Sequence, residues 1–329
     1  MASRERPAVQ AGEPTIAPVV DRVDDAVLAG GFRFCVGARR RRLACWGMTV
    51  LIIGGSGFLG TALLGAARAE GREAAATFHS RPGDPAAAAW HQLDVRDPAA
   101  VQAVLTAVAP HAVIDVTSGG ADWKVTADGS VHIALATAKL GIRLVHVSSD
   151  AVFSGGRVHY DETCAPDPIT PYGAAKAAAE TAVRLLCPDA AVARTSLIIG
   201  NGRSEHERLA HALIAGTGKG VLFSDDVRCP VHVEDLAAAL WELARSNAAG
   251  LFHLAGPDAL SRYDLGVRIA RRDGLDASRL PSGRRADTRL PGPLDVRLDS
   301  RATQRRLSTR LRGAREFLGE GQQKPPASP

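Results

Sequence analysis

The chain has 329 residues, 46% apolar and 23% charged, a balance that suits a folded globular protein and excludes a disordered or fibrous one. No run of about 18 apolar residues occurs, so no segment reads as a membrane-spanning helix. Of the net charge of +5, residues 1–47 hold +3 (eight Arg against five acids), which leaves +2 for the rest and argues against a nucleic-acid-binding surface.

Residues 1–47 carry no sustained period and include the run Arg39-Arg40-Arg41-Arg42. Val27–Phe32 is too short for a secretory signal, and five acids speak against an organelle transit peptide. The segment reads as a disordered arm, with Met48, directly before the first strand, as the candidate initiator. The rival reading is a basic interaction arm. The five cysteines (35, 45, 164, 187, 229) show no C-x-x-C spacing, which excludes a structural zinc or a disulfide framework and fits a reducing cytoplasm.

Val50-Leu51-Ile52-Ile53 reads as a strand buried on both faces, and Thr61–Arg68 as a helix. Between them fall Gly54, Gly57 and Gly60, with Phe58 and Leu59 inside the same turn. Gly54 permits a tight turn, Gly57 an approach to a pyrophosphate, and Gly60 close helix–strand packing. The free N–H groups and positive dipole end of the helix would then face phosphates. The spacing G-x-x-G-x-x-G differs from the G-x-G-x-x-G of ordinary dehydrogenases, and a merely tight turn is the plainer reading.

Glu73–Phe78 is the predicted second strand. An NAD enzyme usually offers an acid near its end for the ribose 2′-hydroxyl. Here His79-Ser80-Arg81 follow, with no acid before Asp84. A cation and a hydroxyl suit a 2′-phosphate, so Arg81 points to NADP, with NAD as the alternative; the bland reading has Arg81 facing water. Trp90–Val95 is a third strand. Asp97-Pro98 open a helix through Leu105, with Asp as N-cap and Pro at the first helical position.

Ala112–Val116 is the fourth strand, Thr117–Gly120 a loop over the cofactor, residues 124–140 a helix, and Arg143–Ser149 the fifth strand. This alternation predicts an α/β, Rossmann-type doubly wound parallel sheet, with ligands beyond the carboxyl ends of its strands. Tyr172–Glu180 opens a further helix, and a sixth strand falls within 190–199. Helices at 205–215, 233–245 and 261–273 and strands at 220–223 and 250–254 follow. The last of these strands rejoins the large sheet. Residues 274–318 are rich in Pro and Arg and end in a short helix. The expected organisation is a nucleotide-binding domain over 48–199, with 230–254 returning to it. A smaller discontinuous substrate domain takes 200–229 and 255–318, and 319–329 form a disordered tail.

Ser149 sits at a strand end, and Tyr172 and Lys176 share one helix face. Reducing a carbonyl needs hydride on carbon and a proton on oxygen. A phenol with an ordinary pKa of about 10 needs about 1.4 kcal/mol of differential stabilisation for each unit it is lowered. A lysine one turn away is expected to supply it by favouring the phenolate, and also to hold the nicotinamide ribose. Ser149 would polarise the carbonyl. A surface tyrosine on an Ala-rich helix is the plainer alternative.

These residues together, from Met48 to about Leu318, resemble the extended short-chain dehydrogenase/reductases, and within them the dTDP-4-dehydrorhamnose reductase (sugar-nucleotide-binding) family. The likeness is carried by the three glycines, Asp94-Val95, Ser148–Phe153, Tyr172 with Lys176, Arg194-Thr195-Ser196, Gly250–Leu254 and Asp295–Asp299. It implies a Rossmann domain with a smaller substrate domain, Asp94 and Val95 beside the adenine, and Ser149, Tyr172 and Lys176 in catalysis. It further implies Ser149 and Asp150 on the sugar, and Arg228–Asp235 resembles the stretch of related sugar-nucleotide epimerases in which an arginine grips the diphosphate, a role that would fall to Arg228. An arginine there could equally pair with Asp225 or Asp226. Ala151, Leu197 and Thr126 stand where relatives carry a tyrosine, a tryptophan and an asparagine.

The implied activity is NAD(P)H-dependent reduction of a 4-keto nucleotide sugar by a cytoplasmic, metal-free protein that a homodimer would suit. The alternatives are a nucleotide-sugar epimerase or dehydratase and a non-catalytic NADP-binding regulatory subunit. Retention of all three catalytic residues weighs against the last.

Overall fold

A computed structural model describes residues 49–319; the basic arm, Met48 and the tail from residue 320 lie outside the described residues. Seven strands form the central sheet: β1 (Val50–Ile53), β2 (Ala74–Phe78), β3 (Ala89–Gln92), β4 (Ala112–Asp115), β5 (Arg143–Ser149), β6 (Ala191–Thr195) and β7 (Gly250–Leu254). Their order is β7-β6-β5-β4-β1-β2-β3, and every neighbouring pair is parallel. This is the doubly wound Rossmann-type architecture expected, with the strand order reversing beside β1.

The apolar run of β1 is explained by its two faces. Val50 and Ile52 pack with Leu63 of α1 (Phe58–Ala69) and with Leu236 and Leu240 of α6 (Val233–Ala244). Leu51 and Ile53 pack on the other face, with Leu105 of α2 (Pro98–Val108) and Ile133 of α3 (Gly129–Leu140). Asp97 caps α2 as expected, accepting from the backbone N–H groups of Ala99 and Ala100. Of the boundaries that differ from expectation, two lie near the loop after β4 and the end of β3. β3 stops at Gln92, short of Val95, and the helix expected from 124 opens with a π-helical turn, Lys124–Asp128. Thr126, fully buried in that turn, accepts from Gly119 N–H at 3.0 Å and donates to Gly120 O at 2.9 Å. It therefore pins the loop after β4.

Beyond β6 the helices α5 (Glu205–Ala215) and α7 (Arg262–Arg272) pack around a separate apolar cluster that includes Leu213, Leu222, Leu265 and Phe317. Short strand pairs stitch this region together: Val227–Arg228 with Leu260–Ser261, Leu222–Phe223 with Ser282–Gly283, and Val158–Tyr160 with Val296–Leu298. Most of these pairings were not expected. Strands of two or three residues are too short to show a period.

Candidate active site

A cavity of about 730 Å³ opens at the carboxyl ends of β4, β5 and β6. Its wall brings together Phe58 and Leu59 from the first turn of α1, Ser149 and Asp150 after β5, Tyr172 and Lys176 on α4 (Pro171–Leu186), and Arg228. Arg81, Asp94 and Val95 lie outside it, at the ends of β2 and β3.

The glycine turn is closed upon itself. Gly54 has a φ of +89°, and a Cβ on Gly60 would come within 2.6 Å of Gly55 Cα, so the helix can lie this close only without one. No side chain caps α1, which leaves the N–H groups of its first turn free for an anion. At the end of β2, His79, Ser80 and Arg81 are exposed, with His79 Nδ1 3.1 Å from Ser80 Oγ. Asp94 is engaged elsewhere. Arg96 holds it through two nitrogens, at 2.9 and 2.6 Å, and keeps its carboxyl far below the usual carboxylate range.

The start of α4 is set locally by Thr170, which accepts from Gly173 N–H at 3.1 Å, and by Pro171 at the first helical position. A Cβ on Gly173 would collide with the Ala151 carbonyl. The first turn of α4 therefore lies against the loop that carries Ser149, with Tyr172 beside it. Ser149 Oγ donates to Asp150 Oδ1 at 3.2 Å and accepts from Ala151 N–H. Asp150 is buried and also accepts from Ser196 Oγ at 2.6 Å.

Lys176 is held by the backbone: its ammonium donates to the Val147 carbonyl at 3.0 Å and the Thr117 carbonyl at 3.2 Å. Burial pushes Tyr172 up from the ordinary tyrosine value; the Ser149 and Ser118 side chains pull it back, and the Asp150 charge adds to the rise. Burial also pushes Lys176 down, against the charges of Asp115 and Glu180.

Arg228 is neither a surface residue nor a free guanidinium. It is buried, 2.9 Å from Asp226 and 3.7 Å from Asp150, and it donates to the carbonyls of Val227, Pro293 and Leu294. Asp226, with no exposed side-chain surface, also receives Arg285 at 2.6 Å and lies 3.4 Å from Arg262. Three arginines thus share one carboxylate at the cavity wall. The Nε of Arg262 has no hydrogen-bond partner. Arg262, Arg285 and His206 were not found from the sequence. They sit in three separate segments with no period or motif of their own.

His206 accepts at 3.2 Å from Arg262, and burial, then the Arg262 charge, holds its pKa down to about 4. A second, apolar chamber of about 330 Å³ shares His206, Arg262 and Arg285 with the first and is walled by Leu209, Val221, Leu222, Phe223, Leu265 and Ile269.

The chain matches the family model described as the RmlD substrate binding domain over residues 48–323. It is 31% identical over 259 residues to a dTDP-4-dehydrorhamnose reductase of Mycobacterium tuberculosis, covering 74% of this chain and 82% of that one. It is 29% identical over 256 residues to the methionine adenosyltransferase 2 subunit beta of Bos taurus, covering 71% and 73%. Among solved structures, the dTDP-4-dehydrorhamnose reductase of Bacillus anthracis in complex with NADP superposes with a TM-score of 0.71 at 22% identity. The match covers 83% of this chain and 98% of that one.

Proposed function

From the premise that the chain belongs to the RmlD substrate-binding-domain family, we propose that it is an NADPH-dependent reductase of a 4-keto nucleotide sugar. The observation that carries this reading is one cavity holding Ser149, Tyr172 and Lys176 beside the first turn of α1. Its wall fits a dinucleotide. The first turn of α1 offers unclaimed N–H groups, Thr117 Oγ1 is buried there without a partner, and a hydroxyl, an imidazole and a guanidinium stand exposed after β2.

Bound NADPH would supply the hydride. Phe58, Leu59 and Gly60 would hold its pyrophosphate through backbone N–H groups, Gly57 would let it approach, and Ser80 and Arg81 would hold its 2′-phosphate. Val95 and the Asp94 backbone would lie by the adenine. Ser149 orients and polarises the substrate carbonyl by donating from Oγ. Tyr172 donates the proton to the oxygen, which becomes strongly basic as hydride reaches the carbon. A phenol with a raised pKa is protonated at neutral pH and still a far stronger acid than the alcohol formed, so the transfer runs downhill. Lys176 orients the nicotinamide ribose.

Residues 200–229 and 255–318 are assigned to the substrate. Arg262 and Arg285 take the diphosphate, and the apolar chamber beyond them takes the base. Arg228, set against Asp226 and donating to three backbone carbonyls, would support this pair from behind.

The test is NADPH consumption by the purified protein with 4-keto-6-deoxy nucleotide sugars. Steady oxidation with one of them is expected. A protein that binds NADPH, oxidises none of it and co-purifies with a stoichiometric enzyme would instead carry the regulatory role of the methionine adenosyltransferase subunit it is similar to.

A further inference from the structure

Lys176 is 2% exposed, and among the described residues its only hydrogen-bond acceptors are two neutral carbonyls, a costly setting for an ammonium. The charges that act on it are those of Asp115 at the end of β4 and Glu180 on α4, and Ser149, Asp150 and Tyr172 share its cavity wall. Glu180 is already neutralised. Arg194 grips both its oxygens, at 3.0 and 2.8 Å, and Ser148 donates to it at 2.5 Å.

Asp115 is different. Its carboxylate is 1% exposed and lies opposite His146 in the β4–β5 register. It accepts from His146 Nδ1 at 2.8 Å and from Thr117 N–H at 3.0 Å. His146 Nε2 is buried and meets no partner, so the tautomer with its proton on Nδ1 is the one that strands no N–H. Among the described residues no arginine or lysine pairs directly with the Asp115 carboxylate, which sets it apart from Glu180. The two carbonyls that hold Lys176 belong to Thr117, whose N–H is fixed by Asp115, and to Val147, the residue after His146. The carboxylate and the ammonium are therefore anchored to the same two strand ends.

We infer that Asp115 is a positioning residue for the proposed reaction: it is the counter-charge that keeps Lys176 protonated and directed at the ribose of the cofactor. The inference rests on the cofactor reading above and adds to it a residue that touches neither substrate nor cofactor.

Asp115→Asn preserves the shape and removes the charge, and it can be examined in the full chain by NADPH fluorescence titration and by turnover, each from about pH 6 to about pH 10.5. The alkaline limb of NADPH affinity, where binding weakens as Lys176 loses its proton, is expected to move at least about one pH unit lower. That is about a tenfold loss at a pH on the limb, with the limb of turnover moving alongside. His146→Gln, which keeps the carboxylate, is expected to leave both limbs in place, and it decides the matter if Asp115→Asn does not fold. Superimposable profiles for Asp115→Asn and wild type, or an equal displacement in His146→Gln, would overturn the inference and leave the pair a merely structural contact. Absence of turnover in the wild type would sink the reductase reading alone, because the binding profiles still report on Asp115.

Discussion

In the proposed role Tyr172 has to carry its proton to donate it, and burial pushes its pKa up, in the direction that keeps it protonated. Replacing it with phenylalanine removes one oxygen and no packing. Tyr172→Phe is expected to cut turnover at least about a hundredfold while NADPH binding, read by fluorescence, stays as in wild type. Equal turnover in the two proteins would remove Tyr172 from its role.

The arginines around Asp226 separate by the same reasoning. Arg262→Ala loses a guanidinium that faces the cavity and is expected to raise KM for the nucleotide sugar about tenfold or more, with kcat little changed. Arg228→Ala removes a buried partner of Asp226 and is expected to cost about 3 kcal/mol of stability in a denaturant melt. Ser149, Tyr172 and Lys176 were legible in the sequence because a strand end and a helical spacing of four fix their geometry locally. Arg262 and Arg285 were not, since only the folded chain brings them to the cavity, nor was Asp115, whose tie to Lys176 runs through the Thr117 backbone. Arg228 was found in the sequence, and the structure adds that it is buried against Asp226 at the cavity wall.

At the scale of elements, the turn between β1 and α1 governs cofactor binding. A Cβ on Gly60 would press on backbone atoms of Gly54 and Gly55, which cannot swing aside as a flexible side chain would. Gly60→Ala is expected to weaken NADPH binding at least tenfold and to cost about 1–3 kcal/mol of stability, measured by titration and melting. Unchanged NADPH affinity would show that the close packing of α1 on β1 does not shape the site. The large elements were readable because burial on two faces writes unbroken apolar runs such as Val50–Ile53, and the N-cap of α2 is written as Asp97-Pro98. The pairings Val158–Tyr160 with Val296–Leu298 and Val227–Arg228 with Leu260–Ser261 were not readable. Each joins segments far apart in the chain through strands of two or three residues.

For the molecule as a whole, buried histidines set the response to acid. Burial and neighbouring arginines hold His206 and His253 down to about 4, and burial also lowers His232. Below the ordinary histidine value of 6.5 the unfolded chain therefore binds protons that the folded protein refuses, and stability is lost as the pH falls from 6.5 toward 4. Calorimetric melting is expected to show Tm falling by at least about 5 °C across that window. A flat Tm would mean that these rings are solvated.

The central claim is that hydride leaves a nicotinamide and reaches a substrate carbon in this cavity. The direct measurement uses NADPH deuterated on the transferring face of the ring, a 4-keto-6-deoxy nucleotide sugar, and mass spectrometry of the product. The account predicts one deuterium on the newly reduced carbon, matched by one NADPH oxidised per product and nearly abolished in Tyr172→Phe. Product formed with no net NADPH consumed and no label transferred, from a protein that retains its cofactor through purification, would contradict it.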